Sequence, residues 1–190
     1  MNGRIGSWFQ TYTGIKFYPL DPRPEDISVH DIAHSTSMIV RGTGHLKFMY
    51  TVGEHSLNTY KLLKQQGYDE KIQIIGLLHD SSECYCNDLN TILKQYLSEY
   101  KLMENRIQEV IWEAFDIDVY EDEYAIVKKA DKMLLQWEAE HNMIDCLWND
   151  KSIVLPNIQI TERPRSIVKE EFLDTFWELK SKMTGGKLHI

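Results

Sequence analysis

The hydrophobic positions of this 190-residue chain recur mostly three or four residues apart, the spacing of α-helices. The clearest example follows Ser98, where apolar residues keep the i, i+3, i+4, i+7, i+8 pattern through Phe115. A rougher stripe, capped by Asp26 or Ser28, predicts a helix that runs to Arg41 and ends at the glycines of 42–44. The other predicted helices span Thr51 to Gly67, 70–79, 89–97, about 121–146 with Asp118 as its cap, and a last one opened by Arg163-Pro164.

The remaining segments lack helical spacing. Thr13-Gly14 predicts the turn of a short hairpin, and the prolines from Pro19 to Pro24 predict a rigid extended segment. Residues 84–90 read as irregular, with a turn or cap at Asn87-Asp88, and 153–156 read as an extended crossing. The sequence therefore predicts one all-α domain over 1–190. It divides into an N-terminal hairpin and extended arm (1–28), a helical core (29–146) and a C-terminal extension with a helix (147–190).

Charge and composition narrow the classes of partner. The formal net charge of −8 argues against binding to nucleic acid polymers or anionic membranes, because either would need a basic face. Anionic small molecules stay open if a few cations and a metal line one cleft. The chain starts without a basic, then apolar, leader, and no apolar run approaches the roughly 18 residues of a membrane span. Three cysteines do not suggest a framework of paired disulfides. We therefore expect a cytoplasmic protein without a targeting segment.

The first candidate for chemistry is the doublet His79-Asp80, which follows an apolar run. Adjacent helical side chains point about 100° apart, so the doublet can grip one object only if that object lies near the backbone, as a metal ion would. Glu83 lies three and four residues further on, which returns it to the same side of a helix. Its position suits a reacting water better than a further ligand.

Two more residues could complete a metal site. His55 and Asp131 lie among apolar neighbours on two other predicted helices. Two imidazoles with two carboxylates make a mixed nitrogen and oxygen set, which suits manganese, cobalt, iron or zinc better than calcium. The alternative is that Asp80 and Asp131 are helix caps or half-buried salt-bridge partners. A lone histidine is more often a core or surface residue than a ligand, which is how we interpret the other histidines, with His34 left open.

The order of these residues resembles the H…HD…D signature of the HD superfamily of metal-dependent phosphohydrolases. The sequence motifs around these residues are similar to those of the small bacterial 5′-deoxynucleotidases: VGEHS at 52–56, LLHDSSE at 77–83, Asp88-Leu89 with Thr91 and Lys94, and ADK at 130–132. The run from Trp8 to His34 resembles phage-encoded members more narrowly, among them a cyanophage dATP triphosphohydrolase. The resemblance covers roughly residues 4–145, and it implies an HD-type helical bundle in the cytosol of a bacterial host or a phage-infected cell.

The resemblance also implies roles for individual residues. It makes His55, His79, Asp80 and Asp131 the ligands of one divalent transition metal (zinc, cobalt or manganese). It also allows an additional magnesium ion that is bound to the substrate phosphates. It places Glu83 beside the metal water and Asp88 near the sugar or the phosphate. It makes Arg41 and Lys94 the cations that bind phosphate oxygens. Without the resemblance, we would interpret Arg41 as a partner of the helix C-terminus and Lys94 as part of a solvated helix face. Relatives often carry a large aromatic directly after this arginine, where this chain has Gly42. A contact with sugar or base is then empty or has moved to Phe17, Trp8 or Phe48.

The leading functional hypothesis is metal-dependent hydrolysis of a 2′-deoxynucleotide between its 5′ oxygen and phosphorus. The phage-like N-terminal run favours a purine triphosphate such as dATP, with deoxynucleoside and tripolyphosphate as products. The general family core favours a 5′-deoxynucleotidase that releases phosphate from monophosphates. A non-catalytic nucleotide-binding regulator is an alternative of another class, and hydrolysis of a cyclic dinucleotide or alarmone is a third possibility, for which the chain leaves little room. Relatives often form homo-oligomers, so we expect one here.

Overall fold

The structure is a computed structural model that describes residues 3–147 and 156–185, and within these ranges the fold is all-α with one short hairpin. The predicted fold class is therefore confirmed. The hairpin pairs β1 (Phe9–Gln10) with β2 (Lys16–Phe17) in antiparallel register. The helices are α1 (Val29–Thr36), α2 (Val52–Gln65), α3 (Glu70–Leu78), α4 (Glu83–Cys86), α5 (Thr91–Lys94), α6 (Ser98–Ala114), α7 (Glu121–Asn142) and α8 (Arg165–Met183).

Helix α2 lies at the centre of the described fold and packs against α3, α7 and α8. Its residues from Val52 to Tyr60, polar as well as apolar, are all buried, so this part of the helix has no polar face towards solvent. Helix α3 packs closely on α2 at Gly76, where an added Cβ would come within 2.3 Å of Leu63 Cδ1. The close approach of α2 and α3 brings the start of one helix near the end of the other.

The N-terminal arm covers one end of this core. Phe17 of β2 is fully buried, and its ring stacks on Tyr85 of α4 with centroids 4.1 Å apart. The guanidinium of Arg4 pairs with the carboxylates of Asp21 and Asp26, which ties the start of the arm to its extended part. Aromatic packing therefore anchors the hairpin to the helical core, and the ion pairs of Arg4 hold the arm together.

The segment after α1 differs from its prediction. Helix α1 ends at Thr36 instead of running to Arg41. The Ser37 hydroxyl donates to the carbonyl of His34, and Val40 forms an antiparallel bridge with Thr51. The Arg41 amide donates to the Tyr50 carbonyl at 2.9 Å, so extended pairing replaces the last helical turn.

Three other helical elements also differ from their predictions. Glu83–Cys86 forms a helical turn where the sequence reads as irregular from Cys84. The helix expected over 89–97 is reduced to Thr91–Lys94, because Asn90 rather than Asn87-Asp88 supplies the cap and accepts from the Leu93 amide. Helix α7 begins after Tyr120, whose amide donates to Glu123, so Asp118 is not the cap, and α7 ends at Asn142 instead of 146.

The structure describes little of the predicted extended crossing at 153–156. Only Pro156, which is buried, belongs to the described residues, and 153–155 lie outside them. Among the helices described, none has the length and apolar character needed to cross a bilayer. The last predicted helix is confirmed as α8, with Phe172, Phe176 and Leu179 buried on its inner face.

The cap of α2 generates the first prediction. Thr51 Oγ1 accepts from the Glu54 amide at 3.2 Å, and the Glu54 carboxylate accepts in return from the Thr51 amide. This capping box fixes the first turn of the helix that carries His55. We expect Thr51→Ala to lower the free energy of unfolding in urea by about 1 kcal/mol. Thr51→Ser keeps the oxygen and controls for the lost methyl group, so equal stability of the two variants would contradict the capping role.

Candidate metal centre

Four of the predicted site residues meet in one place. One ligand atom from each of His55, His79, Asp80 and Asp131 lies within 4.8 Å of all the others, and we call this group the His–Asp cluster. The two Nε2 atoms are 3.3 Å apart. Asp131 Oδ1 lies 3.1 Å from His55 Nε2, and Asp80 Oδ2 lies 3.2 Å from His79 Nε2. The structure thus brings together residues that lie as much as 76 positions apart in the chain.

Each side chain is delivered by the end or the face of a helix. His55 lies in the first turn of α2, close to its capped start. His79 follows the last residue of α3 with helical dihedral angles, and Asp80 comes directly after it. Asp131 projects from the middle of α7, beside the buried Ala130 and Leu134. The core packing of α2 with α3 and α7 therefore determines the geometry of the cluster.

Both imidazoles are oriented by their other ring nitrogen. His55 Nδ1 lies 2.6 Å from Glu138 Oε1, and since a carboxylate only accepts, this nitrogen carries the proton. His79 Nδ1 donates to the Gly76 carbonyl at 2.8 Å. The Nε2 atoms of both rings consequently face the cluster, and because Nδ1 keeps its proton in these hydrogen bonds, Nε2 is the nitrogen of each ring that would bind a metal.

The two carboxylates of the cluster require a cation between the four side chains. Burial opposes ionisation of the aspartates, but the neighbouring imidazoles hold the pKa values of Asp80 and Asp131 well below the usual range. Burial lowers the pKa of His79, yet the two carboxylates outweigh it and raise the pKa to about 9. Two carboxylates around two Nε2 atoms need a proton or a metal ion to balance them. The donor set fits a divalent transition metal, and the four residues would be its protein ligands.

Glu138 is a central residue of the site that the sequence did not reveal. Its carboxylate accepts from His55, from the Tyr50 hydroxyl at 2.8 Å, and pairs with Arg41 Nε at 3.4 Å. Burial raises the pKa of Glu138, but His55 and Arg41 outweigh burial and hold it below its ordinary value, so the group is ionised. Glu138 follows Asp131 by seven residues on α7, and this spacing on one helical face is a signal that could have found it.

The cations of the site come from three different elements. Arg41 Nη1 lies 3.4 Å from Asp80 Oδ2, and its side chain is only 13% exposed. Lys94 Nζ contacts Glu104 at 2.6 Å and Glu83 at 3.3 Å. Lys128, which sequence reasoning missed, lies 3.4 Å from Asp131 Oδ2, three residues before it on α7. Cations therefore border the cluster on more than one side.

Glu83 lies beside the cluster without joining it. Its side chain is buried, Oε1 contacts Lys94, and Oε2 has no hydrogen-bond partner among the described residues. Burial and the charges of Asp80 and Asp88 raise its pKa well above the ordinary value. Asp88 is half-buried and acts electrostatically on both Glu83 and Arg41, so it borders the same region. An acceptor without a donor at this position is suited to a water or a substrate hydroxyl, either of which can donate to it.

Two of the residues predicted to contact the sugar or base are placed differently. Phe17 is fully buried against Tyr85, and the contacts of its ring are with the hairpin and α4 rather than with the cluster. This burial removes the ring as a stacking surface, so its assignment to substrate is not supported. Gly42 lies in a left-handed turn with Thr43, directly after Arg41. The atoms nearest to a Cβ there belong to the Leu46 side chain, the first at 3.5 Å, so a residue larger than glycine would contact Leu46.

Two curated proteins are similar to part of the chain. It is 37% identical to the uncharacterized protein YfdR of Escherichia coli (strain K12) over 111 residues, which are 58% of this chain and 60% of that protein. It is 31% identical to the uncharacterized protein RCAP_rcc00048 of Rhodobacter capsulatus over 106 residues, 53% and 54% of the two chains. The matches thus span little more than half the length of these relatives. No family model matches the chain.

Glu138 provides the second prediction. Replacing Glu138 by Gln keeps its size but removes the charge that orients His55, so we expect the affinity for Zn²⁺ or Mn²⁺ to fall about 10- to 100-fold. Competition with a chromophoric chelator measures this change. Glu140→Gln, two residues along α7 and exposed, is the matched control. Equal affinities of the two variants would contradict a role for Glu138 in holding the ligand.

Proposed function

We propose that this protein is a metal-dependent phosphohydrolase of the HD type that acts on deoxynucleotides. The observation that carries this proposal is the meeting of the His–Asp cluster with Glu83 and with Arg41, Lys94 and Lys128 on surrounding elements. A site with buried carboxylates favours an anionic substrate only when cations stand beside them, and here they do. The H…HD…D order and its surrounding words support the same family.

The chain's own residues supply most of what hydrolysis of a phosphate ester needs. Arg41 offers a planar fork of donors and Lys94 a point charge, and both can bind phosphate oxygens as negative charge builds during the reaction. A bound divalent metal would supply Lewis acidity towards a phosphoryl oxygen and lower the pKa of a water. Glu83, whose buried Oε2 has no hydrogen-bond partner among the described residues, takes the proton of the attacking water and passes it to the 5′ oxygen as its bond to phosphorus breaks.

Within this class we favour a purine deoxynucleoside triphosphate as the substrate. The words from Trp8 to His34 resemble phage-encoded triphosphohydrolases, and a third cation, Lys128, adds positive charge for a polyphosphate. The same bond is broken in a monophosphate, so the products distinguish the two activities. A triphosphate yields deoxynucleoside and tripolyphosphate, whereas a monophosphate yields deoxynucleoside and phosphate.

The substrate class is tested with a panel of deoxynucleoside mono- and triphosphates and metal-loaded protein. Ion-exchange chromatography separates tripolyphosphate from orthophosphate, and we expect tripolyphosphate with dATP as the best substrate. Release of orthophosphate from monophosphates alone would overturn the triphosphate assignment. Hydrolysis by the Asp80→Ala variant in metal-free buffer would show that the site itself is wrongly assigned.

Glu83 gives a separate prediction about the chemical step. Glu83→Gln keeps the shape of the side chain but cannot accept a proton, so we expect kcat to fall about 10²- to 10⁴-fold. KM should change little, because Arg41 and Lys94 still hold the phosphates. Glu109→Gln, on the exposed face of α6, is the matched control. A Glu83→Gln variant with wild-type kcat would remove Glu83 from the mechanism.

A further inference from the structure

A second cleft lies away from the ligand residues of the His–Asp cluster. It is a space of about 340 Å³ between α2 and the segment 157–163. None of the four cluster residues lines it. Hydroxyl and amide groups make up most of its described wall, from Tyr50, Asn58, Gln65, Asn157, Gln159 and Thr161. Such a lining can both donate and accept hydrogen bonds, which suits a ligand with several hydroxyl groups.

An unsatisfied acceptor belongs to this wall. Glu54 also lines the cleft, and its side chain is buried. Its Oε2 atom accepts from Thr51, but Oε1 has no hydrogen-bond partner among the described residues. A buried acceptor without a donor destabilises a fold unless something supplies one. A ligand hydroxyl that reached the floor of the cleft would supply it.

The edge of the cleft carries two cations. Lys61 and Arg163 both line it, and both pair with one carboxylate, that of Glu171. The Lys61–Glu171 distance is 2.8 Å. The Glu54 carboxylate also lines the cleft, so these two cations and two carboxylates balance in charge. An ammonium has three N–H donors and a guanidinium has five, so Lys61 and Arg163 can hold an anionic group on a ligand while they hold Glu171, and Arg163 can present a fork of donors to a phosphate.

We propose that this cleft binds a sugar phosphate. Its hydroxyl groups would pair with the amides and with Glu54, and its phosphate would lie between Lys61 and Arg163. A nucleotide is disfavoured, because among the described lining residues Tyr50 is the sole aromatic, and its buried ring offers no face for a base. Binding here requires neither the metal nor hydrolysis.

The occupant of the cleft is connected to the metal centre through hydrogen bonds. Asn58 donates to the Tyr50 hydroxyl at 2.8 Å, and that hydroxyl donates to Glu138 Oε1 at 2.8 Å. The same oxygen accepts from His55 Nδ1. Asn58 and Tyr50 line the cleft, so a ligand that shifts either side chain alters the hydrogen bond that orients His55.

Isothermal titration of ribose 5-phosphate into the full-length protein tests the site. We expect binding that weakens at least about tenfold when ribose or inorganic phosphate replaces it, since each lacks half of the contacts. Arg163→Gln should weaken binding by a similar factor, and Thr161→Trp should abolish it by filling the cleft. The matched controls are Arg165→Gln and Glu162→Trp, which are exposed neighbours outside the lining.

Three outcomes would overturn the proposal. Binding unchanged by Thr161→Trp would place the sugar phosphate elsewhere, and equal affinity for phosphate alone would make this an anion site only. Absence of binding at about 10 mM, where even weak small-molecule sites fill, would exclude the ligand class. None of these outcomes bears on hydrolysis, which the nucleotide panel measures separately.

The connection to the metal centre has its own test. In metal-free protein, we expect ribose 5-phosphate to shift the ring ¹⁵N resonances of His55. Tyr50→Phe should abolish this shift while ribose 5-phosphate still binds, since it removes the hydroxyl between the cleft and Glu138. Binding without any shift at His55 in the wild-type protein would contradict the connection.

Discussion

The buried carboxylate of Glu138 is the interaction on which the arrangement of the site depends. It accepts the Nδ1 proton of His55 at 2.6 Å, which points Nε2 into the His–Asp cluster. Its other oxygen pairs with Arg41, so the same group orients a proposed metal ligand and a proposed phosphate-binding cation. A buried ionised group is costly unless it is fully hydrogen-bonded, and Tyr50 supplies the third partner. The hydrogen bonds and the ion pair that stabilise this one carboxylate thereby position His55, Tyr50 and Arg41.

The packing of three helices positions the residues of the site. Helix α2 brings His55, α3 ends at His79, and α7 carries both Asp131 and Glu138 on one face. Since α2 is buried nearly all round, small shifts of α3 or α7 would be resisted by close packing. Loops supply the remaining parts, Tyr50 and Arg41, and these two are joined by a backbone hydrogen bond. Rigid helices thus hold the cluster, and the paired segments around it hold the cation.

Sequence reasoning reached the cluster but not its surroundings. His55, His79-Asp80 and Asp131 stand out because polar ligands within apolar helical stripes are rare, and their order resembles a known signature. Glu138 was within reach of the seven-residue spacing from Asp131, whereas Tyr50 was not, because its contact with Glu138 arises from tertiary packing across 88 positions. The end of α1 was wrong because side-chain hydrogen bonds and the Val40–Thr51 bridge compete with the helix. The shortened α5 follows from its cap at Asn90, whose side chain accepts from the Leu93 amide, and local propensity does not distinguish this cap from Asn87-Asp88.

The central claim is that the His–Asp cluster is a metal site, and anomalous X-ray diffraction tests it most directly. Crystals of protein purified without added metal would be measured at the absorption edges of manganese, cobalt and zinc. The account predicts an anomalous peak bonded at about 2.0–2.2 Å to the Nε2 atoms of both histidines and to oxygens of both aspartates. A cluster with no anomalous peak, in which the imidazoles and carboxylates stay in direct hydrogen-bonded contact, would contradict it.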